Sequence, residues 1–212
     1  MRRLLLSLLA LTACDRPTTT QPTVQPAVVR GLANPGFEDV LPSDTTHAQY
    51  WLSGSSDGDE LVVTDPVGAH SGSRYMRLTS DVARGESEEA TVPLPTPNDN
   101  DETHAVVWPV TAGDFVEFGG WAYRETGNLL PRFTVSFYTG LPLATNWLGP
   151  DSTYSTLAVT AATWTFTAGL VQVPPSAMYA VFYPEVAEPS SPTRVHTVGR
   201  FDDVFLRDTS PY

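Results

Sequence analysis

Residues 201–206 read "FDDVFL", two adjacent aspartates inside an otherwise apolar, strand-like run. Strand side chains alternate between faces, so one of Asp202 and Asp203 is directed where Val204 or Phe205 would be buried. An unpaired carboxylate in a core is very costly. The facing is ambiguous, because the sets 201, 203, 205 and 202, 204, 206 are both largely apolar. Arg200, Arg77 or open solvent are the neutralising surroundings the sequence itself offers.

The other chemistry-bearing residues are histidines, acidic loops and aromatics. Imidazole suits copper and zinc, so His47, His70, His104 and His196 are an alternative transition-metal set. None has His-x-His spacing, and all lie in expected loops or strand starts, so a site would need separate loops to converge; isolated surface histidines are the other reading. "SSDGDE" (55–60) and "PTPNDNDETH" (95–104) carry Asp-x-Asp spacing but lack the glycine and distal glutamate of an EF-hand loop. Exposed indole and phenol rings can stack on sugar rings, and Trp51, Trp108, Trp147 and Tyr154 are the candidates. Trp147 stands beside Asn146 in the longest irregular stretch, 140–153. No His-Glu-x-x-His, phosphate loop or nucleophilic cysteine is present, which points away from an enzyme.

The elements that must position these residues are strands. Short runs rich in Val, Thr, Phe, Tyr and Trp are punctuated by 19 prolines and 15 glycines. Strands are expected at 33–40, 47–53, 60–65, 73–80, 87–93, 104–110, 114–124, 132–139, 154–159, 163–173, 177–187 and 198–207. With no helical period after residue 30, this predicts an all-β sandwich of ordinary single-domain size within 212 residues. The formal net charge of −12 excludes a nucleic-acid partner, which would require clustered cations.

The only cysteine, Cys14, cannot form an intramolecular disulfide. "MRRLLLSLLALTAC" has a basic start, an apolar run too short to span a bilayer stably, and Leu11-Thr12-Ala13-Cys14. It resembles a bacterial lipoprotein signal with its lipobox. The resemblance implies a signal peptide over 1–13, cleavage before Cys14, and lipidation of the Cys14 thiol that holds the protein to the cell membrane or outer membrane, outside the cytoplasm. Residues 14–30 read as a Thr/Pro-rich tether reaching roughly 50 Å when extended, with the sandwich domain over 31–212.

Several pieces then occur in order: "NPGFED" (34–39), Trp51, "AHSGSRYMRL" (69–78), "VTAGDFVEFGGWAY" (110–123), "TVSFY" (134–138), Trp164, "VQVPPSAMYAVFYPEV" (171–186) and "RFDDVFL" (200–206). Together they resemble the jelly-roll carbohydrate-binding modules of xylanases and cellulases, within the galactose-binding-like sandwiches. The resemblance implies a single jelly-roll β-sandwich with Trp121 and Trp164 in core positions. It also implies a structural calcium where the first and last strands meet, with Glu38 and Asp202 as carboxylate ligands, Asp203 as the substitute, and carbonyls from the loop near "AHSGS". Hard oxygen donors of this kind suit calcium. The expected function is a cell-envelope lipoprotein binding a surface or cell-wall glycan. The alternatives are a structural subunit docking on an S-layer or outer-membrane protein assembly, and a copper-dependent oxidoreductase such as superoxide dismutase, or a glycosidase accessory.

Overall fold

The computed structural model describes residues 32, 34–49, 51–53, 60–80, 88–91, 108–140, 144–187 and 197–209. Cys14, the tether, His104, His196 and the acidic loop 95–104 lie outside the described residues, as does nearly all of 55–60.

Two antiparallel sheets face each other, as alternating apolar strands require. One has the order β11 (Thr165–Gln172), β8 (Phe115–Thr126), β13 (Thr197–Asp208), β5 (Arg74–Ser80), β4 (Glu60–Thr64). The other, six-stranded, runs β10 (Thr153–Ser155), β9 (Leu130–Tyr138), β12 (Tyr179–Ala187), β6 (Glu88–Thr91), β3 (Leu52–Ser53), with β7 (Trp108–Pro109) also on β12. A small ribbon of β1 (Val40–Leu41) and β2 (Asp44–Ala48) stands apart. The architecture is the expected jelly-roll sandwich. The segment expected as a strand over 33–40 is mostly turn and irregular chain up to Asp39, and 154–159 leaves the sheet after Ser155. "NPGF" explains the first: Asn34 and Phe37 both take positive φ (52° and 57°), which a strand does not allow.

The core lies between the sheets. Phe133 stacks on Phe182 (centroids 5.9 Å apart) and meets Phe201 edge-on (5.5 Å), while Phe118 meets Phe182 (6.4 Å). The layers approach closely at Gly120: a Cβ there would fall 2.8 Å from Val204 Cα and 3.0 Å from Phe133 Cζ. "FGGW" thus supplies the close approach its small residues suggested.

The double aspartate is resolved by a bulge. Asp202 pairs with Trp121 but Phe205 pairs with Gly119, so Asp203 and Val204 together oppose Gly120. Asp203 carries the left-handed turn of the bulge (φ 45°). The extra residue shifts the alternation by one. Phe201, Val204 and Leu206 all reach the core, while Asp202 stays on the outer face.

Candidate functional site

Asp202 is on the outer side of the sheet yet 0% exposed, because the loop 65–73 between β4 and β5 covers it. That loop turns its amides onto the carboxylate. The N–H groups of His70 and Ser71 donate to Asp202 Oδ2 (2.9 and 3.0 Å), and the N–H of Asp203 donates to Oδ1 (2.8 Å). Asp203 accepts from Ser71 Oγ (2.8 Å) and has His70 Nδ1 2.7 Å from Oδ2. A carboxylate can only accept, so Nδ1 carries the proton here. The imidazole lies flat on Trp121, with centroids 3.8 Å apart at 17°.

Glu38 enters the same corner from the other end of the chain. Its Oε1 accepts from the N–H groups of Ser73 (2.7 Å) and Arg74 (2.9 Å), and its Oε2 from Ser73 Oγ (2.8 Å). Arg74 also donates to the Glu38 carbonyl (2.7 Å). Gly72, with φ 61°, leaves room for that carboxylate, since a Cβ would fall 2.2 Å from Oε1. Glu38, Asp202 and Asp203 all border Gly36.

The two carboxylates at this corner differ electrostatically. Burial of Glu38 works to raise its pKa, but hydrogen bonds from Ser73 and Arg74 and the Arg74 charge outweigh it and hold the group below its ordinary value. Asp202 goes the other way. Its desolvation, with the charge of Asp203 beside it, exceeds the help of the Ser71, Asp203 and His70 amides and pushes its pKa up to about 6. Arg200, a partner the sequence offered, is instead committed to Glu125 (2.8 Å), and Arg77 faces Glu125 as well (3.6 Å).

A buried carboxylate short of positive charge, with a second one adjacent, fits a hard divalent cation. Asp202, Asp203 and His70 bring ligand-type atoms within 4.8 Å of one another. The oxygens suit calcium better than copper, because the ring nitrogen nearest the carboxylates is already engaged by Asp203. Glu38 lies beside this group with its oxygens turned to Ser73 and Arg74. His47 is elsewhere, held by Asp44 (2.9 Å) on the β1–β2 ribbon. Among the described residues no two histidines share a metal-type cluster.

The aromatic candidates separate sharply. Trp51 and Trp108 are buried in the core and present no ring face to a sugar; Trp51 packs on Phe37 (4.8 Å). Tyr154, in register with Val135, packs toward the core against Phe137 (6.0 Å). Trp147 alone of the four is open, 44% exposed, bridged to Tyr138 at the sheet edge. Trp121 and Trp164, expected in the core, are half-buried on the outer face of the five-stranded sheet instead. Position 121 shares the face of Tyr123 and Glu117 rather than that of Phe118 and Ala122.

A second constellation covers the outer face of the six-stranded sheet. Phe133, Val135 and Phe137 turn inward, so Arg132, Thr134 and Ser136 turn outward, opposite Glu185 and Tyr183 of β12. Trp147 Nε1 donates to Thr153 Oγ1 (3.3 Å), Thr153 bonds Ser136 Oγ (2.9 Å), and Ser136 bonds Tyr183 OH (3.1 Å). Beside this row, Ser155 bonds Thr134 (2.7 Å), Thr134 donates to Glu185, and Arg132 Nε donates to the same Glu185 oxygen (2.7 Å). Apart from Trp147, sequence reasoning did not single out these residues. The signal was present in "PRFTVSFY" and "YAVFYPEV", where polar residues occupy every second place between core aromatics.

No family model matches this chain, and neither does any curated protein. Solved structures do, and they define the class: the chain folds as a carbohydrate-binding-module-like jelly roll. The CBM22-1 xylan-binding domain of Paenibacillus barcinonensis Xyn10C aligns with a TM-score of 0.51 at 14% identity, over 84% of this chain and 93% of that one. An arabinose-bound MgGH51 α-L-arabinofuranosidase aligns at 0.56 and 14% identity, over 86% of this chain and 27% of that one. The enzymatically active domain of bacteriophage CBA120 tailspike protein 4 aligns at 0.51 and 13% identity, over 84% of this chain. This chain spans only 21% of that tailspike. At such identities the likeness is one of fold.

Proposed function

We propose that this chain is a cell-envelope lipoprotein, anchored through a lipid on Cys14, whose jelly roll binds a surface or cell-wall glycan. The observation that carries glycan binding is the exposed ring of Trp147 at the edge of the six-stranded sheet, beside the incompletely buried Arg132, Thr153, Ser155 and Tyr183. Sugars offer an apolar C–H face and a rim of hydroxyls. The indole suits the face; Arg132, Tyr183, Thr153 and Ser155 suit the rim. Because one structural neighbour is a xylan-binding domain, xylan is one probe among envelope and plant-type polysaccharides. Binding by the purified protein on a glycan array, weakened in Glu185→Gln and Trp147→Ala, is the expected result. No binding to any polysaccharide overturns it.

In the same reading, Asp202 and Asp203 hold a calcium ion, with Glu38 beside them fixing the loop. The cation would join the first and last segments of the domain, and its chemistry is charge neutralisation, not catalysis. Mass spectrometry of the native protein tests the anchor. A diacylglycerol-modified N-terminal Cys14 is expected, and a free Cys14 thiol rules it out.

Docking on a surface-protein assembly is the second reading, favoured by one observation. Phe166 (52% exposed) and Leu170 (64%) stand on the outer face of edge strand β11, with Phe205 stacked beside Phe166 at 6.0 Å. Exposed apolar clusters of this kind mark contact surfaces.

A further inference from the structure

We infer that Trp164 is a positioning residue for the cation site, acting through the loop 65–73; this rests on the calcium reading above. Trp164 precedes edge strand β11, far along the chain from that loop. Its indole Nε1 nevertheless donates to the Gly68 carbonyl (3.1 Å). Gly68 is two residues from His70, whose N–H is bonded to Asp202. The short arc 68–71 is therefore tied at one end to an indole on the sheet and at the other to the buried carboxylate.

The surroundings leave that arc little freedom. The Asp65 carbonyl accepts from Gly68 (3.1 Å) and Ala69 (2.9 Å), and the Asp65 N–H donates to Ser73 (2.9 Å), closing the loop on itself. A side chain at position 68 is excluded, since a Cβ would lie 2.3 Å from Asp65 Oδ2 and 3.0 Å from an Arg200 guanidinium nitrogen. Arg200 is itself clamped between Tyr75 and Tyr123 (4.9 and 5.0 Å). The Trp164 ring fills the remaining gap, edge-on to His70 (5.9 Å) and Tyr75 (6.2 Å) and tilted on Tyr123 (5.8 Å).

This arrangement has a consequence for the ion. A loop held in place before binding does not have to be ordered by binding, so less affinity is lost to loop entropy. The indole N–H supplies a directional tie to the Gly68 end of the arc, away from the aspartates, while the ring supplies packing. Trp164→Phe separates the two, because it keeps a ring and removes the donor.

The test uses the full chain, calcium as the probe, and two readouts. Isothermal titration gives the calcium Kd; a chelated sample gives the melting temperature and the hydrogen exchange of residues 65–73. Trp164→Phe is expected to weaken calcium binding by about fivefold, the worth of one such hydrogen bond, and to lose exchange protection in the chelated loop, with the chelated melting temperature nearly unchanged. An unchanged Kd overturns the inference, including the case in which only the melting temperature falls, which is plain packing. Wild-type protein that takes up no calcium overturns the underlying site instead. Should Trp164→Phe not fold, Trp164→Leu, which removes the same donor and keeps apolar bulk, carries the same measurement with about the same fivefold weakening expected; an unchanged Kd there overturns the inference equally.

Discussion

On the outer face of the five-stranded sheet, Arg200 lies between two tyrosines and His70 lies on Trp121. On the outer face of the six-stranded sheet, hydroxyls of Thr134, Ser136, Thr153 and Ser155 bond one another and reach Glu185 and Tyr183. Both faces follow the same two-residue alternation behind one shared core. The first face spends its aromatics and charges on the protein's own loop, fixing it over Asp202. On the second face the hydroxyls of Thr153, Ser155 and Tyr183 are not buried and both donate and accept, so they can exchange a partner for a ligand hydroxyl at small net cost. One face is therefore suited to holding shape, and the other to exchanging hydrogen bonds with a ligand.

The sharpest way to break this contrast is at Glu185. Arg132 and Thr134 both rely on its carboxylate, which is almost fully buried. Glu185→Leu leaves a buried hydroxyl and a guanidinium without their partner, and an unfolding free energy about 2–3 kcal/mol lower is expected. The milder Glu185→Gln keeps an acceptor and should retain most of the stability while weakening glycan binding through Arg132, which Glu185 holds. Denaturant melts and array binding on both variants separate fold from function.

The next effect belongs to the other face. An ion bound only by the folded state adds about 2.7 kcal/mol at a hundred times its Kd. Chelation should lower the melting temperature of the wild type, and calcium should restore it. Asp202→Asn should abolish that response; a chelator response that survives this substitution would place the ion elsewhere.

A smaller effect follows from the raised pKa of Asp202, and its sign is informative. The folded value of about 6 exceeds the ordinary aspartate value of 3.8. Across that window the folded state holds more protons than the unfolded one, so stability falls as pH rises through it. Glu38, with its lowered pKa, acts oppositely, but only below about pH 5, where the unfolded group titrates. Chelated protein should thus melt at a lower temperature at pH 7 than at pH 5, and saturating calcium should remove the difference. A flat profile in chelator would mean that Asp202 is neutralised by something within the chain.

What the sequence disclosed depended on whether a signal was local. Strand positions were legible because alternation and turn residues are local, and "FGGW" announced its close approach. The facing of Asp202 was not, because it turns on one bulge residue, Asp203, whose positive φ has no marker in "FDDVFL". Trp51, Trp108 and Tyr154 looked as available as Trp147, because aromatic type does not encode burial. Glu185 and Arg132 sit 53 residues apart, and only strand register makes them partners.

The smallest expected effect concerns the patch that both readings must account for. Phe166 and Leu170 protrude from β11, and Phe166 meets Trp121 (5.6 Å) and Phe205 (6.0 Å) only along one side. Exposed substitutions away from buried partners usually change stability within about 0.5 kcal/mol, so Phe166→Ser with Leu170→Ser should melt close to wild type. Glycan binding should also be unchanged, because the polar row lies on the opposite sheet with the whole core between. If the double variant instead loses retention on the cell surface while the lipid and glycan binding are intact, the five-stranded face serves a protein partner. If retention is unchanged, the patch plays no part in anchoring.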